Sequence, residues 1–212
     1  MNLPHAPRLE ALKRWPWVAI LLTLAALALH SIPDIPEALQ LERGALAAGE
    51  FHRIFTCHLT HSSLDHLLWD AIAFLALGAL AETSSRRRFL ACLAASAVAI
   101  PLAIMALEPE IHVYRGLSGI DSALFALAGV TILRDRLASG DRVLAAGIAV
   151  AFLGFAAKIA YEHLTGSTFF VDSSSSGMVP VPAAHVIGAI VGAAAAMPNQ
   201  GPARKVPRTV TV

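Results

Sequence analysis

Three stretches of this sequence run for about twenty residues without an Asp, Glu, Lys or Arg: Trp15 to Pro33, Phe89 to Leu107 and Met178 to Met197. Roughly 20 apolar residues are what a helix needs to cross the hydrocarbon core of a bilayer. Inside lipid each backbone polar group must find its partner within the protein, so runs of this length restrict the chain to helices. Three further runs are as long but carry polar insertions: Ser62 to Glu82 with Asp65 and Asp70, Gly116 to Leu133 with Asp121, and Val143 to Leu164 with Lys158 and Glu162. The sequence therefore predicts an all-α membrane protein, a six-transmembrane-helix bundle. Its membrane domain covers 15–197, with spans near 15–33, 62–82, 89–107, 116–133, 143–164 and 178–197, between an N-terminus at 1–14 and a tail at 198–212. Pro101 predicts a kink in the third span. The composition agrees: 15% of residues are charged, against about 25% in soluble domains.

Lys and Arg set the orientation through the positive-inside rule. Arg8, Lys13 and Arg14 precede the first span, and Arg86, Arg87 and Arg88 separate the second and third. Arg134, Arg136 and Arg142 separate the fourth and fifth, and Arg204, Lys205 and Arg208 follow the sixth, so one side collects twelve of the sixteen basic residues. Both termini are expected to be cytoplasmic. A basic N-terminus before an apolar run is also the pattern of a signal peptide, but five further spans favour an uncleaved helix. The formal net charge of +1 argues against a nucleic-acid partner, which needs a basic surplus. Cys57 and Cys92 fall on opposite sides of the membrane in this topology, so no disulfide is expected, and two thiols are too few for a structural zinc site. The outer segment from Asp34 to Thr60 is long for a connection, and such loops are often functional. Gly166 to Gly177, with Ser173 to Ser176, reads as a cap over the last two spans or as a plain linker.

Ionisable groups inside a bilayer are costly and mark function. The second span begins with His61, His66 and Asp70, the last two being four apart and so on one helix face. Ser118 sits in Gly116-Leu-Ser-Gly119 at the outer end of the fourth span. His185 lies near the outer end of the sixth, followed by Gly188 and Gly192. Topology sets these groups at a similar depth below the outer surface. A serine hydroxyl becomes a nucleophile when an imidazole takes its proton, so Ser118 and His185 are candidates for nucleophile and general base of acyl transfer. The first turn of a helix offers unpaired N–H groups to an oxyanion. Gly119 beside Ser118 allows close approach of a substrate backbone, and His66 could add a donor. Gly188 and Gly192 suit close helix packing. Each feature has a plainer reading: G-x-S-G is weak in a chain rich in Ala, Gly and Ser, and His66 and Asp70 could simply bond each other or line a proton path. No metal or cofactor is implied.

Taken together the chain resembles the rhomboid family of intramembrane serine proteases. That family has a six-helix core, a G-x-S-G serine on the fourth helix, and a histidine on the sixth in an A-H-x-x-G-x-x-x-G setting, here Ala184-His185 with Gly188 and Gly192. The second-helix pattern H-x-x-x-x-H-x-x-x-N is matched by His61 and His66, with Asp70 in place of the asparagine. Leu77-Gly78 to Glu82 and Arg53 also fit, although His52 stands where the family has tryptophan. The short form, Gly116-Leu-Ser-Gly119 and the Lys158-x-x-x-Glu162 pair resemble the rhombosortase subgroup, associated with C-terminal sorting signals in bacteria.

The resemblance implies a serine endopeptidase that cleaves transmembrane segments of other proteins, in a bacterial inner membrane with its site toward the outer face. Its partners would be a transmembrane protein substrate and the lipid bilayer. Three departures matter. An ionised Asp70 would repel an oxyanion, whereas a protonated one could donate, or the carboxylate could fix the tautomer of His66. His52 weakens the expected anchor of the first outer loop, and Ser122 is smaller than the aromatic residue expected beneath His185. Lys158 and Glu162 also read as an intrahelical ion pair snorkelling outward. Two other functions stay open: a non-catalytic rhomboid-like protein that binds transmembrane helices, and a transporter or proton channel, which lacks the expected inverted repeats.

Overall fold

Proline and glycine set where the helices begin and end. The structure, a computed structural model, describes residues 15–171 and 179–198; the flanking basic residues Arg8, Lys13, Arg14, Arg204, Lys205 and Arg208, and the Ser173 to Ser176 run, lie outside them. Helix α1 (Trp17–His30) starts behind Pro16, and α2 (Ile35–Leu39) and α3 (Arg43–Ala47) follow. Between α2 and α3, strand β1 (Leu41–Glu42) pairs antiparallel with β2 (Val113–Tyr114), Leu41 opposite Tyr114. After α4 (Arg53–Thr56) and one 3₁₀ turn comes the long α5 (Leu64–Leu107). Helices α6 (Ser118–Ser139), α7 (Arg142–Thr165) and α8 (Pro182–Ala196) follow among the described residues. The protein is mostly helical, and the two-residue β1–β2 pairing is the only sheet among the described residues.

Several boundaries differ from the sequence reading for identifiable reasons. Helix α8 begins at Pro182 rather than near residue 178, because proline fits the first turn of a helix and disfavours helix before it. With 14 residues α1 is also short, roughly 21 Å at 1.5 Å per residue. Helix α6 begins at Ser118 because Gly116 sits at φ 115°, a backbone conformation open to glycine and not helical. The second and third predicted spans are two limbs of α5, broken at Ser85, whose φ of −160° and ψ of 93° interrupt the helix beside Arg86, Arg87 and Arg88. By length and hydropathy α5 and α7 are long enough to cross a membrane, with mean hydropathies of 2.4 and 2.1 over their most apolar stretches.

Buried polar side chains tie these elements together. The first N–H groups of a helix lack intrahelical partners and carry the positive end of its dipole. In α1 that end meets the buried carboxylate of Glu82, which accepts from Val18 N at 3.3 Å and Ala19 N at 3.0 Å. Arg86 neutralises Glu82 at 2.9 Å and donates to Trp15 O. Gly78 makes room for this contact, since a Cβ there would stand 3.0 Å from that of Ala19. At the other end of α5, Arg43 donates to the carbonyls of Met105, Glu108 and Ile111. Arg53 is buried and bonds Glu50, Glu37 O and Gln40 O, so the outer loop is fastened by Arg53 while His52 is exposed.

Helix α7 is the outlier. Of its 24 residues only Ala145 and Glu162 are buried, while Val143, Val150, Leu153 and Leu164 expose 66–86% of their surface. A helix that is apolar all round suits lipid rather than water. The two cysteines are both free and buried.

Removing the Glu82 carboxylate would leave the start of α1 uncapped and Arg86 unpaired. Glu82→Ala is expected to lower stability by about 2 kcal/mol, read as a drop in the thermal unfolding temperature of the detergent-solubilised protein.

Candidate functional site

Among the described glycines, the two with least room, Gly188 and Gly192, hold α8 against α6. A Cβ at Gly188 would collide with the carbonyl oxygen of Gly119, and one at Gly192 with that of Ala123. Two glycines one turn apart let the backbones touch, as small residues do in membrane helix pairs. A Cβ on Gly119 would in turn stand 3.3 Å from Ala184 O and 3.0 Å from Ile100 Cδ1. Ser118 precedes Gly119 and His185 follows Ala184, so this seam fixes the relative height of the two side chains.

Both open on one cavity of about 690 Å³ between α5, α6, α7 and α8, well within the size range of ligand sites. Ser118 is half-buried and His185 is buried. Ser62, His66, Asp70, Asp121, Lys158 and Glu162 also face it, and Trp69, Phe125, Phe155 and Phe170 supply apolar wall. The rings of Trp69 and Phe170 lie 5.3 Å apart. Ser122 also lines the cavity, but its hydroxyl turns back to donate to Ser118 O at 2.8 Å. His61 is buried beside this wall rather than in it, its ring edge-on to His66. One oxygen of Asp121, Oδ1, is buried with no hydrogen-bond partner among the described residues.

Asp70 occupies the entrance to α6. Its Oδ2 accepts from Leu117 N at 2.8 Å and from Ser118 N at 3.1 Å. The same oxygen is 3.2 Å from His66 Nε2 and 3.3 Å from His61 Nε2, the latter without hydrogen-bond geometry. Because Asp70 Oδ2 already accepts from two backbone N–H groups, His66 Nε2 faces it as a donor, and His66 Nδ1 is left to accept from the Ser62 hydroxyl at 3.0 Å. Asp70 is thus an acceptor in this arrangement, and the two donors expected to serve an oxyanion, Ser118 N–H and His66, already converge on it. Gly116 permits the arrangement: a Cβ there would stand 2.7 Å from His66 Nε2. Burial pushes His61 below its ordinary range against the pull of Asp70. In the preceding turn His58 is lowered to about 4, again by burial, and its Nε2 meets Ala97 O at 3.1 Å.

The second carboxylate is one whose partner the sequence does not reveal. Glu162 and Lys158 do not snorkel outward; they face His185. Glu162 Oε2 lies 3.1 Å from His185 Nδ1, and both carboxylate oxygens lie 2.8 Å from Lys158 Nζ. Glu162 is 3% exposed. A charged i, i+4 pair in an apolar span was the available signal. Its rotation toward another helix was not.

Cavity, seam and apolar exterior define an integral membrane protein with a polar site enclosed by helices. Residues 48–199 match the Rhomboid domain, and the chain belongs to the rhomboid family, whose members are typically serine proteases acting on transmembrane substrates within the bilayer. A search of curated proteins finds no match.

The seam makes a direct prediction. Gly192→Val should lower stability by about 3 kcal/mol and separate Ser118 from His185, whereas Gly147→Val, where nothing lies within 4 Å, should change neither. Thermal unfolding in detergent and reaction of Ser118 with a fluorophosphonate measure the two effects.

Proposed function

We propose that this protein is an intramembrane serine endopeptidase that cleaves the transmembrane segment of another protein. In this reading 15–197 forms a six-pass domain with both termini cytoplasmic, and the cavity opens toward the outer face of a bacterial inner membrane. The observation that carries the proposal is that Ser118 and His185, on two helices in backbone contact, face one cavity. Gly116-Leu-Ser-Gly119 and the Lys158-x-x-x-Glu162 pair further favour rhombosortase-like processing of C-terminal sorting signals.

The chemistry is acyl transfer in two halves. Ser118 Oγ bonds to the scissile carbonyl carbon as its proton passes to His185 Nε2. His185 returns that proton to the departing amine when the C–N bond breaks. Water then attacks the acyl-enzyme, giving a proton to the same nitrogen, which passes it to Ser118 Oγ as the C–Oγ bond breaks and the carboxylic acid product leaves. The developing oxyanion is stabilised by the Ser118 N–H and His66, donors that now point at Asp70 Oδ2. Preorganised donors of this kind are worth about 100- to 1000-fold in rate each. The substrate oxygen must therefore displace the carboxylate.

That requirement gives the second reading its specific support. A rhomboid-like protein whose oxyanion donors are permanently held by Asp70 would bind transmembrane helices without cutting them.

Two substitutions decide. Ser118→Ala is expected to abolish cleavage and fluorophosphonate labelling while the protein still unfolds at its usual temperature; undiminished cleavage would end the protease reading. Asp70→Asn removes the charge but keeps an acceptor for Leu117 N–H, and labelling should speed up about tenfold or more. If neither the wild type nor Asp70→Asn labels at Ser118, the non-catalytic reading stands.

A further inference from the structure

Among the buried residues of α7, Glu162 is the anomaly. This helix presents apolar side chains outward along its length, and only Ala145 and Glu162 are buried. An ionised carboxylate is costly to hold away from water unless it is paired and hydrogen-bonded. An ion pair serving only α7 would lie at lower cost on the outer face, its charges reaching for the membrane surface. Here it turns inward and makes a contact across helices, to His185 of α8.

We infer that Glu162 is the positioning residue of the site, its carboxylate accepting the Nδ1–H of His185 so that Nε2 is bare toward Ser118. This rests on the Ser118–His185 reading above.

The proton assignment follows from the neighbours. Lys158 Nζ lies 2.8 Å from both oxygens of Glu162, the geometry of an ammonium on an ionised carboxylate. A carboxylate without a proton can only accept. At 3.1 Å from Oε2, His185 Nδ1 must then be the donor, and a neutral imidazole with its proton on Nδ1 has its lone pair on Nε2. Lys158 is also 3.5 Å from Nδ1, but that is the limit of a hydrogen bond, and its two short contacts to Glu162 prevail. Lys158 therefore acts one step further back, holding Glu162 charged. This is the arrangement in which a third group sets the tautomer and orientation of the base, and losing the correct tautomer can cost such an enzyme about 10⁴-fold. Phe169 N adds a weak contact to Oε1 at 3.4 Å, tying the segment after α7 to the same carboxylate.

The test uses the full-length protein in detergent and a fluorophosphonate probe, following the maximal inactivation rate separately from the probe's apparent affinity. Glu162→Gln is expected to lower the maximal rate at least 100-fold and leave affinity within threefold. Glu162→Asp, which keeps the charge on a shorter arm, should recover at least tenfold of that loss, and Lys158→Met should lose at least tenfold. A Glu162→Gln protein reacting within threefold of wild type would overturn the inference while leaving Ser118 and His185 in place. Labelling that survives Ser118→Ala would instead remove the underlying reading. Because Glu162→Gln could fail to fold, ¹⁵N-histidine spectra of the wild type provide an independent measure: His185 protonated on Nδ1 supports the role, and the Nε2–H tautomer overturns it.

Discussion

Contact between the backbones of α6 and α8 governs everything the site can do. Gly188 against Gly119 and Gly192 against Ala123 leave no side chain between the helices, so their axial register is set by main-chain atoms rather than by rotamers. In lipid there is no hydrophobic gain in bringing helices together, and close packing of small residues supplies the attraction. A polar residue on α6 and one on α8 are thereby held at one height without being bonded to each other. The polar groups of α5 and α7 are brought in around that fixed pair.

Two carboxylates flank the pair and have opposite consequences. Asp70 reaches the first turn of α6, where the N–H groups of Leu117 and Ser118 are unpaired by the helix itself. An acceptor there stabilises the helix start, and for the same reason it competes with any negative charge developing at Ser118. Glu162 approaches the imidazole from the far side, where a negative charge favours the imidazolium that general-base chemistry forms. In the proposed reaction, Asp70 at the serine N–H would oppose the developing charge, and Glu162 at the imidazole would assist it.

How much of this was legible in the sequence depended on what constrains each feature. A bilayer tolerates few polar residues, so Ser118, His185, His66 and Asp70 stood out, and the period of a helix set His66 and Asp70 on one face. The break between the two limbs of α5 was marked by Arg86, Arg87 and Arg88, because charge and the membrane interior exclude each other. The rotation of α7 was not legible. Its residues are apolar all round, so no periodicity shows which face turns inward, and Lys158 with Glu162 fitted an outward-facing pair equally well. Arg43 was likewise passed over, since its partners are the carbonyls of Met105, Glu108 and Ile111, more than sixty residues away in the chain. The direction of Asp70 depended on Gly116, whose positive φ no neighbouring residue announces.

Helix α7 meets the rest of the bundle through Ala145, through Glu162, and through the rings of Phe152 and Phe155, which pack 5.3 and 5.1 Å from that of Phe125. The main hydrophobic core nevertheless takes no side chain from α7, so a sideways tilt of this helix would leave that core covered. Such a tilt would carry Glu162 away from the imidazole of His185, its partner on α8. One helix thus serves twice: the wall that α7 lends to the cavity is also the wall on which the histidine leans.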